Sequence, residues 1–393
     1  RSTPLYSSAA SDVYKRQSAS VCVMDIYTGD IISMVSSPSF DPNKFVHGID
    51  NKTWNSLLSD KKKPLINKCI SGTYPPGSTI KPIVALSALE NDVVSPKFVV
   101  QCKGEIEFYG IKYRCWKEKG HGYMNLREGI KQSCDVFFYE TARRLGIDRL
   151  SITARQFGLG TKVLENFSEE RIGVVPNTKW KLNKLGKGWV IGETLICGIG
   201  QGYFSTTPIQ LCLMTAQLAN GGFKIYPRIT VDENQESLES IKYKMAQSAL
   251  KEKQYASPLR KVEEFLKIGD REYHPLFRNP ENVKFVLEAM FSSANEVMGT
   301  SYSSRIEDPK YQFAGKTGTA QVKKITEEAR ELDLHISQIP YEERDHALYI
   351  AFGPYKNPRY AVSIIVEHGG AGSTTAAPIA CLLYTSPSPR DRG

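Results

Sequence analysis

No run of about 18 consecutive apolar residues occurs in this 393-residue chain, so no segment of it reads as a membrane-spanning helix. No secretory signal is visible. No block of one charge sign stands out either. The net charge is +9, and lysines and arginines are scattered through the chain. No nucleic-acid motif accompanies them, which argues against a nucleic-acid partner. Internal repeats are absent. What is present, 41% apolar and 24% charged residues, is ordinary for a globular protein. The length suits one large domain or two ordinary ones.

Two segments show neither helical nor strand periodicity. Residues 1–17 (RSTPLYSSAASDVYKRQ) and 382–393 (LLYTSPSPRDRG) resemble translated sequencing-adapter sequence. They are set aside as non-native tails, leaving 18–381 as the folding unit. The native protein is then expected to be longer at both ends, with room for an N-terminal membrane anchor.

The unit opens with SVCVMDIYTGDIISMVSS, whose apolar residues alternate on both sides of Thr28-Gly29-Asp30. That is the pattern of a β-hairpin. A polar stretch with loop signals follows at 41–68. Residues 78–90 read as a helix with Pro82 in its first turn, where a missing N–H does no harm. A short β-rich insert bearing cysteines spans 99–134. EGIKQSCDVFFYETARRLG reads as one further helix that stops at Gly146. Thr207 and Pro208 open another helix over 207–219. The charged span 231–283 reads as a mostly helical surface insertion. After the helix ENVKFVLEAMFSSANE, three strand-like runs follow: QFAGKTGTAQV, ALYIAFGPY and YAVSIIVEHGG. Thr374 is placed to cap a final helix. Strands at both ends with helices between them predict an α+β fold, one antiparallel sheet whose first and last strands meet.

Three short motifs carry chemistry. Ser78-Thr79-Ile80-Lys81 is an S-x-x-K tetrad at a helix start. Positions i and i+3 share a helical face, so the amine can reach the hydroxyl. A serine becomes a nucleophile only when a base takes its proton. Free N–H groups at the helix start, Ser78's among them, suit a developing oxyanion. Alone, the tetrad also fits a serine cap followed by a surface lysine. Ser133-Cys134-Asp135 is the second motif, and Lys316-Thr317-Gly318-Thr319 the third, on a strand. Gly318 would let a substrate backbone approach that strand. Lys316 with the Thr317 and Thr319 hydroxyls would hold a carboxylate. All three in this order are far more specific than any one.

With these motifs the chain resembles the transpeptidase domain of penicillin-binding proteins, and within them the elongation-type penicillin-binding protein 2. The resemblance runs over nearly all of 18–381, through YPPGSTIKP, SCDVFFYETARRLGIDRL, GIGQGYFSTTPIQ, AGKTGTAQ and HGGAGSTTAAPIA. It implies the fold shared with serine β-lactamases, a central antiparallel sheet flanked by helices plus a mostly helical subdomain. It also implies an acyl-serine mechanism on peptidoglycan stem peptides. Ser78 would attack the penultimate D-Ala carbonyl, Lys81 would take its proton, and Ser133 would relay protons toward the leaving D-Ala. The N–H groups of Ser78 and Thr319 would form the oxyanion hole. An amine of a neighbouring stem would then complete the cross-link, and β-lactams would acylate the same serine. The implied setting is the bacterial inner membrane, with the catalytic domain in the periplasm and a glycan polymerase of the elongation machinery as partner. One departure is Asp135, where the general family pattern has asparagine; elongation-type members often carry aspartate there. Its charge is expected to favour the protonated forms of Lys81 and Lys316.

Cys102, Cys115, His121 and Cys134 follow C-x12-C-x5-H-x12-C. Three thiolates and an imidazole suit a closed, tetrahedral structural zinc. Elongation-type relatives with zinc in this insert place ligands at matching positions, some of them aspartate. Zinc would then support Ser133 and Asp135 from behind. A Cys102–Cys115 disulfide, suited to an oxidising compartment, and four unlinked buried residues remain the alternatives. Cys22, Cys69, Cys197, Cys212 and Cys381 read as small core residues. His47, His274, His335, His346 and His368 read as surface or turn residues. Two competing functions remain. One is a serine β-lactamase or D,D-carboxypeptidase, although no dedicated deacylating base is visible. The other is a non-catalytic β-lactam sensor, against which the intact Lys81, Ser133 and Lys316 argue.

Overall fold

The computed structural model describes residues 17–164, 167–229, 240–247, 266–268, 271–323 and 338–385. At its centre is an antiparallel sheet of β1 (Ser18–Asp25), β2 (Ile31–Ser37), β3 (Ala314–Ala320), β4 (His346–Gly353) and β5 (Tyr360–Glu367). Across the sheet the order is β2-β1-β5-β4-β3. The first and last strands do meet, from Ser18 opposite Glu367 to Asp25 opposite Tyr360. The β1–β2 turn closes with Gly29 N–H donating to Asp25 O, while the Asp25 carboxylate accepts from the N–H groups of Tyr27 and Thr28.

Both faces of the sheet are covered, which is why β4 is an almost unbroken apolar run, buried from Ala347 to Gly353. The helix Pro208–Ala219 lies against β5 and β1 and is buried at every position. Its start was legible: Thr207 Oγ1 accepts from Gln210 N–H, and the Gln210 side chain accepts from Thr207 N–H. On the opposite face, Ala377, Ile379 and Ala380 pack among Phe313, Tyr349 and Val362. They belong to the helix Ala377–Thr385, which runs into the segment set aside as a tail. A π-helical turn at Gly372–Ala376 precedes it, so Thr374 lies inside helical structure and does not cap it. A helical layer, including Lys81–Glu90, Asp135–Leu145 and Ile147–Gln156, extends the core away from β3.

The structure departs from the sequence reading in several places. Residues 126–145 form two helices, Leu126–Lys131 and Asp135–Leu145, broken at Ser133. The polar stretch 41–68 contains helices at Asn43–Val46 and Asn51–Ser59, the latter capped by Asp50. Within 231–283 the described residues form a helical stretch at 240–247 and a small hairpin, Leu266–Ile268 with Arg271–Tyr273. The rest of that span up to 270 lies outside the described residues. Among the described residues no helix is long and apolar enough to cross a membrane.

Candidate active site

The Ser78 turn is short and tightly wedged. Gly77–Ile80 is a 3-10 turn that leads directly into the helix Lys81–Glu90. Gly77 has φ +52°, and a Cβ placed there would lie 2.6 Å from Thr319 O. Its N–H donates to Gly200 O at 2.9 Å. Gly200, at φ +75°, is pressed equally close: a Cβ there would meet Gly77 O at 2.2 Å. Three backbones, at 77, 200 and 319, therefore touch with no room for side chains. This brings the first and third motifs together.

Gly318 serves that contact. A Cβ there would sit 2.7 Å from Thr79 Cγ2 and 3.1 Å from Pro76 O. The missing side chain thus admits the nucleophile turn itself, a tighter constraint than the substrate approach expected from sequence. β3 is an edge strand, paired only with β4. Thr319 O accepts from Gln201 Nε2 at 3.0 Å, so it points away from β4. In an antiparallel strand the N–H of the same residue points the same way. The Thr319 N–H thus faces the Ser78 turn, the position an oxyanion-hole donor needs.

The second motif closes the site through Lys81. Its ammonium donates to Ser133 O at 2.9 Å, Ser133 Oγ at 3.1 Å and Asp135 Oδ1 at 2.7 Å. Three protons meet three acceptors, and the side chain is fully buried. The Lys81 backbone N–H donates to Ser78 O, but among the described residues no hydrogen bond joins Lys81 Nζ to the Ser78 hydroxyl, although the i,i+3 spacing permits one. Ser133 has φ +55°, an uncommon conformation for a residue with a side chain. That left-handed residue is what breaks the helix expected from Glu128 to its stop at Gly146.

Lys316 lies deep in the site. Its amine is fully buried and donates to Thr317 O at 3.0 Å. Burial first, and then the Lys81 charge, hold it well below the usual lysine range; Asp135 pulls the other way, the direction its charge predicts, but more weakly. Thr317 Oγ1 donates to Thr300 Oγ1 at 2.8 Å, and Thr319 is partly exposed. A cavity of about 570 Å3 lies nearby between Tyr113 and Tyr203, and its lining includes none of the three motifs.

Cys102, Cys115, His121 and Cys134 converge behind the second motif, with one ligand atom of each within 4.8 Å of the others. His121 Nδ1 lies 3.6 Å from Cys102 Sγ and 3.5 Å from Cys115 Sγ. A tetrahedral zinc with bonds of ~2.3 Å to sulfur and ~2.0 Å to nitrogen sets such pairs about 3.5 Å apart. The residues fit that ion. No disulfide joins any of the eight cysteines, so the Cys102–Cys115 bridge is not formed. The hydrogen bond from Cys134 lowers the thiols of Cys115 to about 2 and Cys102 to about 6, against the opposing effect of burial, and His121 adds to both. Asp135 N–H donates to Cys115 Sγ at 3.3 Å, which ties the cluster to the second motif.

Two residues that sequence reasoning passed over belong here. Gln201 bridges to Thr319 as described, and the only signal was its place inside Gly-Gln-Gly. Trp116 donates from its backbone N–H to Asp135 Oδ2 at 2.9 Å. The other cysteines behave as read: Cys22, Cys69, Cys197 and Cys212 are buried and Cys381 half-buried. His346 and His368 are not isolated surface residues. They pack 4.7 Å apart at the end of β4, beside Tyr74, and burial pushes His346 down to about 4.

Residues 19–384 match the penicillin binding protein transpeptidase domain. The chain is 37% identical over 365 residues to the peptidoglycan D,D-transpeptidase MrdA of Salmonella typhimurium, covering 92% of this chain and 54% of that protein. It is 36% identical to MrdA of Escherichia coli K12, over 90% of this chain and 52% of that protein. The chain thus spans about half the length of these curated relatives. Among solved structures, Pseudomonas aeruginosa PBP2 in complex with WCK 5153 superposes with a TM-score of 0.77 at 33% identity, over 98% of this chain and 74% of that one. The PBP2 of Helicobacter pylori in its complex with MreC also gives 0.77, at 30% identity, over 96% of this chain and 61% of that one.

Proposed function

As the chain belongs to the penicillin-binding protein transpeptidase family, we propose that it cross-links peptidoglycan stem peptides through an acyl-serine intermediate during cell elongation. The observation that carries this reading is the convergence of three distant segments. The Ser78 turn touches Thr319 on β3, and Lys81 holds both Ser133 and Asp135.

In the first step Ser78 Oγ bonds to the penultimate D-Ala carbonyl carbon, and the Ser78 and Thr319 N–H groups receive the oxyanion. Lys81 takes the Ser78 proton, and Asp135 Oδ1, 2.7 Å from its Nζ, holds that amine in place. As the carbonyl re-forms, the C–N bond to the terminal D-Ala breaks. Ser133 Oγ, at 3.1 Å from Lys81, hands a proton to the departing amine. An amine of a second stem then bonds to the acyl carbon, the C–Oγ bond breaks, and the proton the amine sheds returns to Ser78 Oγ by way of Lys81. β-Lactams enter the same first step.

Zinc belongs to the proposal, held by Cys102, Cys115, His121 and Cys134. Bound there, it would supply structural rigidity behind Ser133 and Asp135 and no chemistry at the substrate. By likeness to the relatives, the catalytic domain works in the periplasm on an inner-membrane anchor. The Helicobacter pylori relative assembles with MreC. A protein like MreC, and a glycan polymerase, are the proposed partners.

Donor and acceptor stem peptides, incubated with the protein and resolved by mass spectrometry, should give a cross-linked dimer and free D-Ala. Free D-Ala without dimer would mean a carboxypeptidase, and rapid release of an opened β-lactam a β-lactamase. A stable β-lactam adduct with neither product would leave a sensor. A second expectation follows from the wedge at 318. Gly318→Ala should force Thr79 and Pro76 away, destabilise the fold by about 1–3 kcal/mol and slow acylation roughly 100-fold. Unfolding and stopped-flow acylation measure the two. Unchanged acylation would show that the turn need not press on β3.

A further inference from the structure

Ser133 is held in a conformation its own backbone disfavours, so something must hold it. Two donors meet at its carbonyl oxygen. Lys81 Nζ reaches it from the cleft at 2.9 Å, and Trp116 Nε1 from the insert at 3.1 Å. The same indole N–H also lies 3.2 Å from Gln132 O. The Asp135 carboxylate is gripped in the same two-sided way. Lys81 takes Oδ1 at 2.7 Å, and the Trp116 backbone N–H takes Oδ2 at 2.9 Å. Lys81 and Trp116 therefore clamp one pair of groups from opposite sides. The Trp116 ring also stands edge-on to His121, 5.2 Å between centroids.

The rest of the tryptophan has little to do with the core. The residue is 59% exposed, an unusual cost in apolar surface unless its inward N–H matters. Without the indole, Ser133 O would keep only Lys81, the same group that the reaction requires to change partners. The Ser133 N–H donates to Ile130 O and the Cys134 N–H to Gly129 O, which stops the helix locally; with only Lys81 left on its carbonyl, the serine would be free to shift and swing Oγ from the leaving-group side.

We propose that Trp116 is a positioning residue for the second motif, fixing Ser133 through its indole N–H and Asp135 through its backbone N–H. The inference rests on the acyl-serine reading above, and it holds whether or not the cysteine cluster carries an ion. Among the described residues Trp116 bonds to Asp135, Gln132 and Ser133 and not to Ser78. Its removal should therefore slow the chemical step and leave ligand binding alone.

The test is acylation by a chromogenic cephalosporin in stopped flow, resolved into the saturation constant and the limiting rate, with the active fraction titrated by stoichiometric labelling. Trp116→Phe keeps an aromatic ring and the backbone N–H but removes the indole N–H. Its limiting rate should fall about 5- to 10-fold, with saturation constant and active fraction unchanged. A second variant carries benzothienylalanine at 116, where sulfur replaces the N–H in a ring of nearly the same shape. It should be as slow as Trp116→Phe if the hydrogen bond matters. Wild-type speed in the isostere would overturn the proposal, since packing alone would then suffice. A reduced active fraction at an unchanged limiting rate would overturn it too, because that is the signature of a merely structural residue. Failure of the wild-type protein to acylate at Ser78 is a separate result, and it would bring down the acyl-serine reading together with this inference.

Discussion

Ser78→Ala protein incubated with a fluorescent penicillin should carry no covalent label after denaturing electrophoresis, while the wild-type chain carries one label per molecule. The expected loss is complete because the bond formed is to Ser78 Oγ itself, and no neighbour can replace it. Ser133 Oγ is committed to Lys81 and sits beyond it in the network. Thr79, the next hydroxyl along, is buried and bonded to Pro76 O at 2.6 Å. The substitution should leave the fold alone. Ser78 is partly exposed, and among the described residues its hydroxyl makes no hydrogen bond, so the unfolding midpoint should move by about 1 °C or less. That separation of effects is what makes the test sharp. Persistent labelling in a folded Ser78→Ala protein would reject the nucleophile, and with it the family mechanism for this chain. Label lost only because the variant unfolds would show as a collapsed midpoint.

Much of this site was legible because its signals are local. Asp25, Gly29 and Asp30 turn a hairpin using bonds within six residues. Thr207 and Gln210 cap their helix reciprocally. Strand-like runs between turn residues marked β3, β4 and β5, and the placing of strands at the two chain ends brought β1 to β5. The parts that resisted reading depend on residues far apart in the chain. Nothing between Lys131 and Asp135 signals a helix break, since neither glycine nor proline occurs there. The break at Ser133 closes with two local backbone bonds, Ser133 N–H to Ile130 O and Cys134 N–H to Gly129 O, and its carbonyl is held by Lys81 and Trp116, both distant in sequence. Strand periodicity places Lys316 and Gly318 on one face but cannot say what covers that face. At Gly318 the nucleophile turn covers it, and at Lys316 burial and the Lys81 charge lower the proton affinity of the amine. The same reason hid Gln201. Its partner is a carbonyl on β3, and hydrogen bonds to a backbone leave no trace in the partner's side chain.

The cysteine cluster gives the second large expected effect. Protein purified without chelator should hold about one zinc per chain, and stripping it should lower the unfolding midpoint by several degrees. The direction follows from what remains behind. Without an ion, three thiol groups and an imidazole are left converged in a buried space. Each such unmet group costs about 1–3 kcal/mol, and each kcal/mol is worth roughly 2–4 °C in a domain of this class. Cys134→Ser should mimic the stripped state, because a hydroxyl is a poor zinc ligand and Cys134 is fully buried. It should also slow acylation about tenfold, since Cys134 joins Ser133 to Asp135 in the chain and its displacement moves both. A disulfide at the same place would behave differently: reductant alone would lower the midpoint, and chelator would do nothing. Four unlinked buried residues would respond to neither. Metal content near zero in native protein, with Cys134→Ser as stable and as fast as wild type, would reject the zinc and detach the insert from catalysis. Midpoint and acylation rate falling together on chelation, and recovering together on adding zinc, would tie the insert to the Ser133 hydroxyl through the metal.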